Sequence, residues 1–289
     1  MSLKIVVLAK QVPDTRNVGK DAMTAEGTVN RQALAAIFNP EDLNALEMAL
    51  EVKDRIPDTE ITVLTMGPSR AAEIIRDSMF RGADKGVVLS DRKLGGSDTL
   101  ATSYAIAQAI KKIGKFDMVF GGRQAIDGDT AQVGPQTAEK LEIPQITYAE
   151  ELIDVNEKDI TIKRRLERGV EVVKSHFPLL ITVHSSAKPC RFYNAKRLMK
   201  YKHAFSISEA KSNNFDISVW EKFPYLKIEE WNATDILAEE NRIGLNGSPT
   251  KVKKIDNVVL SQKENIQMEP TEENLDNLIK NLIDTHIIG

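Results

Sequence analysis

The chain has 289 residues, 42% hydrophobic and 28% charged, as expected of a folded globular protein with one large domain or a core domain plus an extension. Its 39 basic and 42 acidic residues are interspersed and leave a net charge of −3, so neither nucleic acid nor an anionic membrane is expected as partner. No apolar run approaches the ~20 residues that span a bilayer, and the N-terminus enters a strand without a leader pattern, so the expected location is the cytoplasm or, in a eukaryote, an organelle matrix.

Strand-like and helix-like segments alternate through the first half of the chain. A first strand is expected over residues 4–9. Asn39 stands where a helix cap belongs, with Pro40 at the first helical position and Leu43, Leu46, Ala49 and Leu50 on one face. A second strand follows over 60–66. Ser69 then opens a helix whose Ala72, Ile75 and Met79 recur at helical spacing. A third strand is expected over 86–89, with Ser97 or Asp98 opening the next helix through Tyr104 and Ile110. The fourth strand spans 116–120, and a helix begins between Thr130 and Pro135, because proline fits a first turn but not a helix interior. The fifth strand lies near 146–148. Such alternation predicts an α/β fold with a parallel sheet and crossover helices.

After about residue 150 the pattern changes. Residues 160–164 and 169–173 read as an antiparallel pair, and 179–184 as another buried strand. From 205 to 250 no period holds, and Trp220, Tyr225 and Trp231 are scattered in a polar background, which reads as an extended arm. The C-terminus is an amphipathic helix capped by Thr271, with Leu275, Leu278, Ile279, Leu282, Ile283 and His286 in one stripe.

In an open parallel sheet the ligand binds beyond the carboxyl ends of the strands, where strand order reverses. With an order such as 3-2-1-4-5 that point lies between strands one and four, whose ends carry Ala9-Lys10-Gln11-Val12-Pro13-Asp14 and the loop 121–134. A strand-to-helix turn with two glycines, small polar side chains and exposed amides suits phosphate and ribose groups. Glu41 and Asp42 suit the positive end of their helix but repel phosphate, so any ligand contact there is expected at ribose or base, with phosphate near 129–134. Thr130 and Gln132 can add side-chain hydrogen bonds.

Other chemistries find little support. Strand one lacks the G-x-G-x-x-G of a dinucleotide dehydrogenase, and no P-loop occurs. Gly95-Gly96-Ser97-Asp98-Thr99 resembles a pyrophosphate loop but follows the third strand, so it reads as a helix cap. The lone Cys190 and the histidines at 176, 184, 203 and 286 match no metal motif. Asp127 and Asp129 admit an acid–base pair or a turn-shaping role, of which the second is preferred. No catalytic side chain is expected, and no metal.

Val6-Val7-Leu8-Ala9-Lys10-Gln11-Val12-Pro13-Asp14, Asn39-Pro40-Glu41-Asp42 and the loop 123–134 together resemble the electron transfer flavoprotein beta subunit, and the likeness extends through 179–200, 244–249 and the closing helix. The resemblance implies a Rossmann-like, adenine nucleotide alpha hydrolase-like sheet with a C-terminal antiparallel portion and an extended arm. It implies a nucleotide-binding domain over residues 1–204, with 205–289 embracing an alpha subunit that holds the electron-carrying FAD. Nucleotide contacts would fall on Ala9, Asn39, Pro40, Glu41, Asp42, Met66, Arg123, Gln124, Ala125, Ile126, Asp127, Gly128, Asp129, Thr130, Ala131, Gln132, Val133 and Gly134.

In the simple electron carriers of that family the beta subunit binds AMP and the loop tends to run Asp-Asp-Asp-Cys-Asn-Gln-Thr-Gly. Here Asp127-Gly128-Asp129-Thr130-Ala131-Gln132-Val133-Gly134-Pro135, with 97–104 upstream, is similar to the electron-bifurcating branch, where a second FAD replaces AMP. In that scheme NADH is the donor, ferredoxin or flavodoxin one acceptor, and an acyl-CoA dehydrogenase the other. Residues 191–200 align with the loop that grips the dehydrogenase, but the family's anchoring leucine falls on Ala195, leaving Tyr193 or Leu198 to serve. The competing class is a nucleotide-binding module resembling universal stress proteins, an ATP-binding homodimer with no use for the second-half arm.

Overall fold

The computed structural model describes residues 2–14, 35–251, 267–285 and 287–288. They belong to two compact units, Met1–Lys253 and Lys254–Gly289. The first runs β1 (Lys4–Leu8), β2 (Gln11–Pro13), β3 (Ala36–Phe38), α1 (Pro40–Arg55), β4 (Glu60–Met66), α2 (Ala72–Arg81), β5 (Lys85–Leu89), α3 (Thr99–Ile113), β6 (Met118–Gly122) and α4 (Val133–Leu141). It continues through β7 (Gln145–Val155), β8 (Asp159–Leu166), β9 (Gly169–His176), β10 (Leu179–Val183), α5 (Ala195–Tyr201), α6 (Ile207–Asn213), α7 (Val219–Lys222) and β11 (Glu229–Trp231).

Nine strands form one sheet in the order β11-β5-β4-β1-β6-β10-β7-β8-β9. Pairing is parallel from β11 to β7 and antiparallel through β8 and β9, so the expected Rossmann-like α/β sheet with an antiparallel portion is present. One detail of the expected order changes, because β10 inserts between β6 and β7. All five residues of β10 are buried, which demands a strand on each side and cover on both faces. β9 is largely exposed and belongs at the rim.

Alternation along the central strands divides the core into two layers. Ile5, Val7, Ile61, Val63, Met118, Phe120, Leu179 and Ile181 pack with α1 and α2 on one face. Val6, Leu64, Val119 and Leu180 pack with α3 and α4 on the other. The period-two rule thus makes every central strand apolar on both sides.

Residues 205–251, where no sequence period is visible, contribute to both layers. Leu226 and Ile228 join the first, and Ala233, Ile236 and Ile243 the second. Between them β11 adds a parallel edge to β5. The scattered aromatics form part of this packing, with Phe205 and Trp220 ring centres 4.9 Å apart.

The second unit contains α8 (Glu272–Asp284), capped as expected by Thr271, whose hydroxyl accepts from the Asn274 amide. No residue of α8 is buried, and Leu275, Leu278, Ile279 and Ile283 stay exposed. His286 lies outside the described residues. No helix among the described residues is long and apolar enough to cross a membrane.

Candidate functional site

β1 pairs with β4 on one side and β6 on the other, so the reversal point expected from sequence falls at the carboxyl ends of β1 and β6. Ala9, Met66, residues 39–42 and the loop after β6 converge around this edge. The Ala9 amide donates to Leu64 O at 3.0 Å, and the Asn39 amide to Lys10 O at 2.9 Å.

Asn39 occupies the cap position of α1 but its side chain caps nothing. Instead Nδ2 donates to Gln124 O at 2.9 Å, and Oδ1 accepts from the Ile126 amide at 3.2 Å. This completely buried amide clamps the start of the loop to the helix. Asp42 does likewise, with Oδ2 accepting from the Lys10 amide and Oδ1 from the Gly122 amide, at 2.8 and 3.0 Å. Glu41 accepts from the Gln124 amide and pairs with Arg123, both at 3.0 Å. Both carboxylates are therefore turned inward, onto the chain. Burial pushes the Asp42 carboxyl up to about 7, against the opposing pull of Asn39, the two amides and the Lys10 charge. A β-carbon on Gly122 would fall on the Asp42 carboxylate and the first turn of α1, so this approach requires glycine.

Beyond the clamp the loop turns outward. Gly128 and Asp129 amides both donate to Ala125 O, at 3.2 and 2.9 Å. Asp127 takes Lys10 Nζ on both oxygens at 2.8 Å, and Asp129 accepts from Gln124 Nε2 at 2.7 Å. The acidic pair thus shapes the turn, through side-chain partners more than backbone ones. Asp129 and Ala131 adopt left-handed backbone, with φ of 50° and 52°. Thr130 and Ala131 make no hydrogen bond within the described residues, and α4 follows at Val133 with no acid in its first turn. Amides left without a partner among the described residues, two and three positions ahead of Val133, are donors of the kind an anion takes near the positive end of a helix. Gln132 is held by Thr99 Oγ1, which donates to Oε1 at 2.8 Å, and Gly134 lets α4 lie close on Thr182.

The electron transfer flavoprotein domain family matches residues 26–211. A beta subunit of electron transfer flavoprotein from Megasphaera elsdenii is 44% identical over 259 residues, 88% of this chain and 87% of the relative. The chain belongs to the electron transfer flavoprotein beta-subunit family. The caffeyl-CoA reductase-Etf complex subunit CarD of Acetobacterium woodii is 41% identical, covering 86% of each chain. Protein FixA of Sinorhizobium fredii is 38% identical over 97% of this chain and 92% of the relative. Electron transfer is the role of this flavoprotein family, so flavin belongs to its chemistry, and the stress-protein reading falls away.

Sequence reasoning placed three further residues in the right segments but gave them no role of their own. Lys10 braces Asp127, Thr99 braces Gln132, and Gly122 admits Asp42. Lys10 was legible as the neighbour of Ala9 at the switch point. Among the docking candidates, Tyr193 is pinned edge-on to Phe80 at 5.5 Å with Arg81 4.6 Å over its ring. Ala195 opens α5 behind the Asn194 cap, and Leu198 is half-buried. Phe192, which was not singled out, is 94% exposed beside them.

Proposed function

We propose that the chain is the beta subunit of a bifurcating electron transfer flavoprotein and holds a FAD across the carboxyl edge of its sheet. The observation that carries this reading is the turn 127–134, where a β-carbon on Gly128 would meet nothing within 4 Å, while the Thr130 and Ala131 amides make no hydrogen bond among the described residues. That space and those donors fit a diphosphate as well as a single phosphate. Val133 and Gly134, in the first turn of α4, would share the anion, with Ala9 and Met66 beside the adenine. Residues 39–42 and 123–126 keep the turn in place. FAD bound there would take two electrons from NADH and pass them singly, one to ferredoxin or flavodoxin and one through the alpha-subunit FAD to an acyl-CoA dehydrogenase.

The names of the relatives support the assembly. One is a subunit of a caffeyl-CoA reductase-Etf complex, and another is an acryloyl-CoA reductase electron transfer subunit. In this chain Phe192, Tyr193, Ala195 and Leu198 would meet the dehydrogenase, while 205–289 would meet the alpha subunit, in keeping with the bare apolar stripe of α8. The test is to purify the heterodimer with its alpha subunit, extract its nucleotides and add NADH. Two FAD per heterodimer and NADH-dependent bleaching are expected. One FAD with one AMP, inert to NADH, would leave the simple carrier.

A further inference from the structure

We infer that Tyr148 and His184 form the platform for the flavin ring of the bound dinucleotide. This rests on the FAD reading above and adds the residues that would distinguish FAD from AMP. Tyr148 has φ of 59°, a left-handed conformation for a bulky side chain inside β7. Such strain persists where something else in the molecule requires it. The register between β10 and β7 shifts at this point, between Ile181 and Val183.

The strain does not serve the core. Tyr148 is 38% exposed, its amide reaches Thr182 Oγ1 at 3.3 Å, and its ring stacks on His184 with centres 6.0 Å apart and planes at 25°. Arg123, the first residue after β6, places its guanidinium carbon 5.8 Å from the centre of the same ring. The His184 ring is fixed in turn, because the Ser186 amide donates to Nδ1 at 3.1 Å, which leaves the ring proton on Nε2. A stacked, partly exposed aromatic pair therefore sits at the carboxyl edge, joined through Arg123 to the nucleotide turn.

Sheet order decides what they receive. Met66 ends β4, the Thr130 and Ala131 amides follow β6, and Tyr148 and His184 lie on β7 and beyond β10, in the order β4-β1-β6-β10-β7. With neighbouring strands ~4.8 Å apart, β4 to β7 spans roughly 19 Å. A mononucleotide with its base over Ala9 and Met66 and its phosphate at Thr130 covers the first half. Only the second ring of a dinucleotide reaches the other half, and stacking on an aromatic face is how such a ring is held.

Tyr148→Gly relaxes the backbone while removing the ring, so a structural and a ligand role predict opposite outcomes. In the heterodimer, with the beta site stripped and titrated separately with FAD and with AMP, the variant should melt no lower than wild type. Its FAD affinity should fall by about tenfold or more, with AMP affinity within twofold. His184→Ala should move FAD in the same direction. Unchanged FAD affinity, or an equal loss of FAD and AMP, would overturn the platform while leaving the FAD reading standing. A wild-type site that takes AMP but no FAD would overturn both.

Discussion

At Asp42 two amide hydrogen bonds compete with complete burial, and burial dominates, holding the carboxyl near 7. A folded value above the ordinary carboxylate value means that folding binds a proton between about 4 and 7. The stability from this group is full below about 4 and is lost as pH rises through about 7, by at most ~1.4 kcal/mol per pH unit. Asp42→Asn should abolish that slope in denaturant titrations at successive pH values. Its amide also points a donor at the Lys10 or Gly122 N–H, for a pH-independent loss of about 1–3 kcal/mol. A variant with the wild-type slope would show that Asp42 stays ionised throughout.

Among elements, the turn from β6 to α4 separates scaffold from ligand surface. Gly122→Ala drives a methyl into Asp42 and the first turn of α1, which should cost about 1–3 kcal/mol whether or not nucleotide is present. Gly128→Ala meets nothing, so the melting temperature of the stripped heterodimer should stay put while nucleotide affinity drops. Paired thermal melts and titrations check this, and a stability loss in the second variant would refute it. The sequence made the apolar strands, the helix caps at Asp98 and Thr271 and the position of this turn readable, because each depends on neighbours a few residues away. It concealed the work of Asn39. Local rules assign that side chain to its own helix, whereas the fold gives it to Gln124 and Ile126, more than eighty residues distant. The left-handed Tyr148 was equally hidden, since propensity places tyrosine in regular strand.

Over the whole molecule, the edge of β5 is covered by β11, and residues 205–251 bury Phe205, Leu226, Ile228, Ile236 and Ile243. Burial of these side chains is worth on the order of 10 kcal/mol, comparable with the net stability of a domain. A chain ended after Lys253 should therefore keep a cooperative melt, whereas one ended after Ala204 should melt far lower or aggregate through its bare edge. A cooperative transition near that of the full chain in the shorter piece would disprove this. Three-residue β11 was beyond sequence reasoning, because Glu229-Glu230-Trp231 has no strand pattern of its own and, among the described residues, pairs only with β5.

The insertion of β10 between β6 and β7 also sets a timetable for the ribosome. Residues 118–122 emerge long before 179–183, and the slot between β6 and β7 can fill only after the β7–β9 hairpins have been made. Such remote pairing is slow to form, and a nascent chain waiting for it exposes two unsatisfied strand edges. During synthesis, the facing flanks of β6 and β7 therefore need protection until β10 fills the gap, and the nucleotide turn that leaves β6 is completed only then.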